Sequence, residues 1–199
     1  MDEIEVSFAL MAQLLAGIGL AAAAGLRAFL PPLIVGLLGR YEVFELRESL
    51  EWMEATPTLV IFATAVVVEV LADKVPWLDH ALDIVQSFLK PAAGVLVVSA
   101  TLVDLPPLWT AVLAIVVGGT VSGTVHFGKA AARLASTGTT GGIANPALSV
   151  AEDGLALGGS LLSIFFPLLA FALLVLGGFF VVRGISRWRR SRPCARALP

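Results

Sequence analysis

The chain has 199 residues, 58% of them hydrophobic and only 14% charged, with a formal net charge of −2 and a mean hydropathy of +0.92. Soluble domains are about 45–50% apolar and about 25% charged, so the composition excludes an ordinary soluble domain and points to the bilayer. The charge is segregated: "MDEIE" opens the chain without Lys or Arg, while "RGISRWRRSRPCARALP" holds six of the thirteen basic residues, a topology signal rather than a nucleic-acid surface.

In chain order, 6–26 is an apolar run long enough to cross a hydrocarbon core of about 30 Å. It lacks the basic region and cleavage site of a signal peptide and is read as a retained first helix. "RAFLPPLIVGLLGR" carries an apolar run too short for a crossing, and residues 28–39 are expected to form a half-helix around the Pro31-Pro32 break. At 41–55, Val43, Leu46, Leu50 and Met53 recur at helical spacing and the glutamates lie mainly away from them, which predicts an acidic interfacial helix. A second crossing is expected at 57–72, with Pro57 at its start.

Residues 75–90 read as another interfacial helix, Trp77, Ile84 and Phe88 on one side and Asp79, Asp83 and Lys90 on the other. Crossings are expected at 91–105 and 108–125, the latter continuing into "HFGKAAARLAS". "STGTTGGIANPALSVAED" then reads as a break between a helix ending near Ser136 and one starting at Asn145, with Asn145 as cap and Pro146 at the first helical position. The uncharged stretch within 155–182 reads as one long final crossing, tilted or kinked at Pro167. Residues 183–199 form a basic tail, cytoplasmic by the positive-inside rule, so the expected location is the cell inner membrane.

The expected fold is therefore an all-α, polytopic membrane helix bundle with interfacial helices and broken or re-entrant segments. "ATPTLV" and "ANPALS" share A-x-P-x-L, which would fit two duplicated halves and also arises by chance in so biased a composition. Gly119 and Gly123 make a GxxxG pair, and Gly17, Ala21 and Gly25 a similar strip. Such faces serve helix packing and are also the expected route to a homodimer. The single cysteine, Cys194, excludes an intramolecular disulfide and a Cys-based metal site.

Ionisable groups in apolar segments carry most information, because charge in hydrocarbon costs several kcal/mol. Glu69 and Asp73 share a helix face; His126, Lys129 and Arg133 form a basic stripe; Arg27 ends the first helix; Glu152 and Asp153 follow the Gly/Thr segment. Either they converge on a polar cavity, or the cations snorkel to headgroups and the acids sit in water. If buried, Thr139, Thr140, Gly141, Gly142 and Asn145 would line a path for an anion or polar headgroup. "GGTVSG" around Ser122, near His126, does not meet the G-x-S-x-G nucleophile pattern, and no metal-ligand motif occurs. No enzyme activity, cofactor, metal or nucleic-acid partner is expected.

At "GLRAFLPPLIVGLLGR", "LADKVPWLDHALDIVQSFLKPAAG" and "STGTTGGIANPALSVAED" the chain resembles a family of small bacterial membrane proteins, domain of unknown function 4126. The resemblance covers Leu14 to about Leu174 and implies a multi-helix membrane fold without assigning residue roles. The residues themselves favour a transporter, channel or lipid-translocating protein for a small polar or anionic species. The alternative is a non-catalytic membrane scaffold or accessory subunit whose ion pairs are structural.

Overall fold

The computed structural model describes residues 3–73, 76–141 and 143–191. They are helical throughout apart from short links: α1 (Glu3–Leu26), α2 (Leu30–Arg40), a 3₁₀ helix (Glu48–Glu54), α3 (Thr56–Ala72), α4 (Pro76–Thr101), α5 (Pro107–Leu113), a π-helical stretch (Ala114–Gly119), α6 (Thr120–Thr140), α7 (Asn145–Phe165) and α8 (Pro167–Ser191). Five stretches are long and apolar enough to cross a membrane: Ile4–Leu26, Ile84–Thr101, Pro107–Thr140, Asn145–Phe165 and Pro167–Gly184. The 3₁₀ helix and α3, bent by 64° against each other, make a sixth when counted as one span. The chain is a multi-span membrane protein.

α1 is the central helix, packed against α4, α6, α7 and α8. Its middle is built of small side chains, so neighbouring backbones come close. A Cβ at Gly17 would lie 2.7 Å from Thr101 Oγ1, and one at Gly25 would run into Ser122 O of α6. α4 crosses the π-helical stretch in the same way: a Cβ on either Gly94 or Gly118 would collide with the carbonyl oxygen of the other. Around these crossings Leu20, Val35, Met53, Val97, Val98, Leu102 and Ala114 form the apolar core. Gly17, Ala21, Gly25 and Gly123 are thus packed inside the chain. Gly118 makes the close approach, whereas a Cβ on Gly119 would sit at an ordinary 3.6 Å from Val95.

Several boundaries differ from the sequence expectation. The interfacial helix at 75–90 and the crossing at 91–105 are one helix, α4, with Pro91 inside it. The crossing at 108–125 is part of a continuous 34-residue span, Pro107–Thr140. The single crossing at 155–182 is two helices, because the missing N–H of Pro167 and the extended Phe166 (φ −139°, ψ 65°) interrupt the helical ladder. Residues 41–55 form turns and the 3₁₀ helix in place of an amphipathic α-helix. Leu46 and Met53 are buried, and Arg47 is drawn onto the α4–α5 link, where its Nη1 donates to Leu102 O (2.9 Å), Leu105 O (3.0 Å) and Thr110 Oγ1 (2.8 Å). α8 runs on to Ser191, through the first half of the basic tail, while Cys194 lies outside the described residues.

α6 also continues past Ser136 to Thr140, and Gly141 closes it in the left-handed conformation (φ 61°). The threonine hydroxyls support that helix by donating back one turn: Thr137 to Arg133 O (3.0 Å), Thr139 to Ala135 O (2.9 Å), Thr140 to Ser136 O (2.8 Å). Asn145 is not the cap of α7 but its first residue, and its Nδ2 donates to Thr137 Oγ1 (3.2 Å).

Candidate functional site

Three helical stripes and one helix end meet in the interior. On α6, Ser122, His126, Lys129 and Arg133 fall at intervals of three and four and are all buried. On α7, Ser149 and Glu152 are buried on the same face, with Asp153 beside them. On α3, Glu69 and its C-terminal neighbour one turn on, Asp73, point inward. Arg27 stands at the end of α1, where the helix dipole favours a cation.

These side chains are bonded to one another. Arg27 Nη1 lies 2.7 Å from Asp73 Oδ2, and Arg27 Nε 2.5 Å from Asp153 Oδ1. Arg27 Nη2 donates to Ser149 Oγ (3.1 Å), which in turn donates to Asp73 Oδ2 (3.3 Å). Arg133 Nη2 bridges Asp73 Oδ2 (3.0 Å) and Glu152 Oε2 (2.9 Å). Lys129 Nζ pairs with Glu152 Oε2 (2.9 Å), lies 4.0 Å from Asp73 Oδ2, and donates to Leu26 O (3.3 Å). Asp73 thus serves three cations, with its side chain 2% exposed; Asp153, at 35%, is the open edge of the cluster. The interior is where such charges are affordable only if matched, and here they are matched.

Glu69 plays a different part. Its Oε1 accepts from Ala28 N (3.1 Å) and its backbone oxygen from Arg27 Nη1 (3.4 Å), so it secures the polar backbone where α1 breaks before α2. It takes part in none of the ion pairs among the described residues, and its Oε2 is buried without a hydrogen-bond partner.

The sequence candidates Arg27, Asp73, Lys129, Arg133, Glu152 and Asp153 lie together in the structure; Lys90 was not among the candidates. Lys90 is 0% exposed, with Lys129, Glu69 and Asp73 as its charged surroundings and no hydrogen-bond partner for Nζ. Read as the polar end of an interfacial helix, it looked solvated; the signal was that α4 runs unbroken through Pro91, which puts Lys90 mid-helix. Gln86 and Ser149, both buried, were missed for lack of charge.

The Gly/Thr segment stands apart from the cluster. Thr139, Thr140 and Gly141 are exposed, Asn145 is half-buried, and Gly142 lies outside the described residues. The threonine hydroxyls spend their protons on their own helix, so these residues do not line a path around the buried charges. Ser122 Oγ donates to Lys90 O (2.6 Å), while His126 Nε2 meets Ser87 Oγ (3.2 Å), so the two residues of the loose nucleophile-like pattern serve different partners. Among the described residues, no group of three or more His, Cys, Asp or Glu side chains is arranged to hold a metal ion.

No curated protein and no solved structure matches the chain. A sequence model for the family described as "Domain of unknown function (DUF4126)" matches residues 14–187, the greater part of the chain, and the protein belongs to that family.

Proposed function

We propose that the chain is a membrane transporter, channel or lipid-translocating protein for a small polar or anionic species, with the buried ionic cluster as its passage. The observation that carries this reading is that Arg27, Asp73, Lys129, Arg133, Glu152 and Asp153, drawn from four separate parts of the chain, meet inside a lipid-compatible bundle. Intramembrane ionisable groups mark ion and substrate pathways. Arg27, Lys129 and Arg133 would receive the negative charge of the cargo, releasing their carboxylates; Asp73 and Glu152 would hold the cations between turnovers. Glu69, lacking an ion pair, is suited to carry a coupling proton or cation. No catalytic step is proposed.

Reconstitution into liposomes with chloride, nitrate, phosphate and a fluorescent phospholipid tests the reading. Flux of one of these, lost in Arg133→Ala while the purified variant still melts cooperatively, supports it. Absence of flux for every probe favours the second reading, a scaffold or accessory subunit. That second reading has its own support: Asp73 is shared by three cations, a saturated arrangement suited to locking helices together.

A further inference from the structure

α8 outlasts its own apolar stretch. The part long and apolar enough to cross a membrane ends at Gly184, yet the helix runs on to Ser191. At 1.5 Å per residue that extension adds about 10 Å. The headgroup layer on each side of the hydrocarbon core is about 5–8 Å deep. The extension therefore passes through the level of the lipid phosphates before it reaches bulk water.

Its charge is of one sign and one kind. Every basic residue after Arg133 is an arginine, six in all, and no Asp or Glu follows Asp153. The arginines within the helix also have a direction. Leu174, Gly177, Gly178 and Val181 line the hollow that α8 shares with α1 and α7. At about 100° per residue, Arg183 and Arg187 stand about half a turn from that row, and Arg190 follows at the same spacing. Arg183 and Arg187 are exposed. The Arg183 guanidinium lies 5.9 Å from the ring centroid of Phe179, one turn back and itself exposed. The row thus faces away from the bundle, at the depth where headgroups sit.

A guanidinium offers two parallel N–H donors that match a phosphate, and clustered basic residues beside a membrane helix attract anionic headgroups. We propose that the Arg183/Arg187/Arg190 face of α8 binds the phosphates of anionic phospholipids. The depth of the row selects a bilayer lipid over a soluble acidic partner. This goes beyond the transport reading, which uses other residues, and holds whether or not any cargo crosses the bilayer.

Electron paramagnetic resonance of spin-labelled phosphatidylglycerol and phosphatidylcholine, each with the full chain reconstituted in phosphatidylcholine bilayers, tests it. The expected result at low salt is a preference for phosphatidylglycerol of about fivefold, the weight of one arginine near an anionic surface. At about 1 M salt, where charges are screened beyond about 3 Å, the preference should fall toward parity. Arg183→Gln, Arg187→Gln and Arg190→Gln together should remove it; should that variant fail to fold, the first two changes alone should reduce it. Replacing the same three arginines by lysine keeps the charge and loses the fork, so part of the preference should remain. Equal association of the two lipids at low salt overturns the proposal. So does a preference that ignores salt, or one that persists unchanged in a glutamine variant that still melts cooperatively.

Discussion

Arg27 and Asp73 form an ion pair 2.7 Å long between side chains that are 1% and 2% exposed, joining the end of α1 to the end of α3. Removing one partner of a buried pair strands the other charge, at a cost of about 3–5 kcal/mol. Arg27→Ala is therefore expected to destabilise by about that amount, read as a large fall in melting temperature in detergent. Arg27→Lys should recover only part of the loss, because one ammonium cannot reproduce the separate contacts of Nε, Nη1 and Nη2 to Asp153, Asp73 and Ser149.

Arg133 and Glu152 share two contacts, Nη2 to Oε2 at 2.9 Å and Nε to Oε1 at 3.4 Å. Groups in one network do not act independently, so Arg133→Ala combined with Glu152→Ala should be less destabilising than the sum of the single changes. A double-mutant cycle should return a coupling of about 1–3 kcal/mol. A coupling near zero would mean that the two side chains are solvated separately in the native bundle.

Gly94 and Gly118 predict a sharp contrast between glycines. Gly94→Val should abolish folding, because backbone oxygen occupies the site of the added side chain. Gly128→Ala, where no atom lies within 4 Å of the new Cβ, should be neutral or stabilising by up to about 1 kcal/mol through helix propensity. Yield and thermal melting of the two variants distinguish them.

Arg47 binds two backbone carbonyls of the α4–α5 link and Thr110 Oγ1 through one guanidinium nitrogen. A hydrogen bond to a charged donor contributes about 1.5–3 kcal/mol, and the three acceptors here share the two protons of one nitrogen, so their contributions do not add in full. Arg47→Met keeps the stem and removes the donors. It is expected to cost about 2–3 kcal/mol and to raise hydrogen exchange in the link between Thr101 and Pro107.

Much of this arrangement could be read from residue types and spacing. The stripes Glu69/Asp73 and His126/Lys129/Arg133 are local patterns, and a charge inside a long apolar run has few places to go except another charge. The partners of each charge were not readable, since Arg27 to Asp153 spans most of the chain and depends on how four helices pack. The two prolines Pro91 and Pro167 illustrate a second limit. Both sit in apolar surroundings, yet one is absorbed within α4 and the other separates α7 from α8. Tertiary contacts decide which. The Gly/Thr segment misled for a related reason: threonines can satisfy their hydroxyls on their own helix, so a polar composition did not require a polar cavity.

The π-helical stretch Ala114–Gly119 has a bearing on the whole cationic row. A widened turn acts as roughly one added residue, and each residue advances an α-helix by about 100°. Everything after Gly119 is therefore clocked about a quarter turn from a straight continuation of α5. That phase lets Thr110 meet Arg47 on one side while Lys129 and Arg133 meet Glu152 on the other. Straightening the stretch into a regular α-helix without removing a residue would turn the lysine and arginine about 100° away from their partners, whereas deleting one residue between Ala114 and Gly119 would leave their direction unchanged.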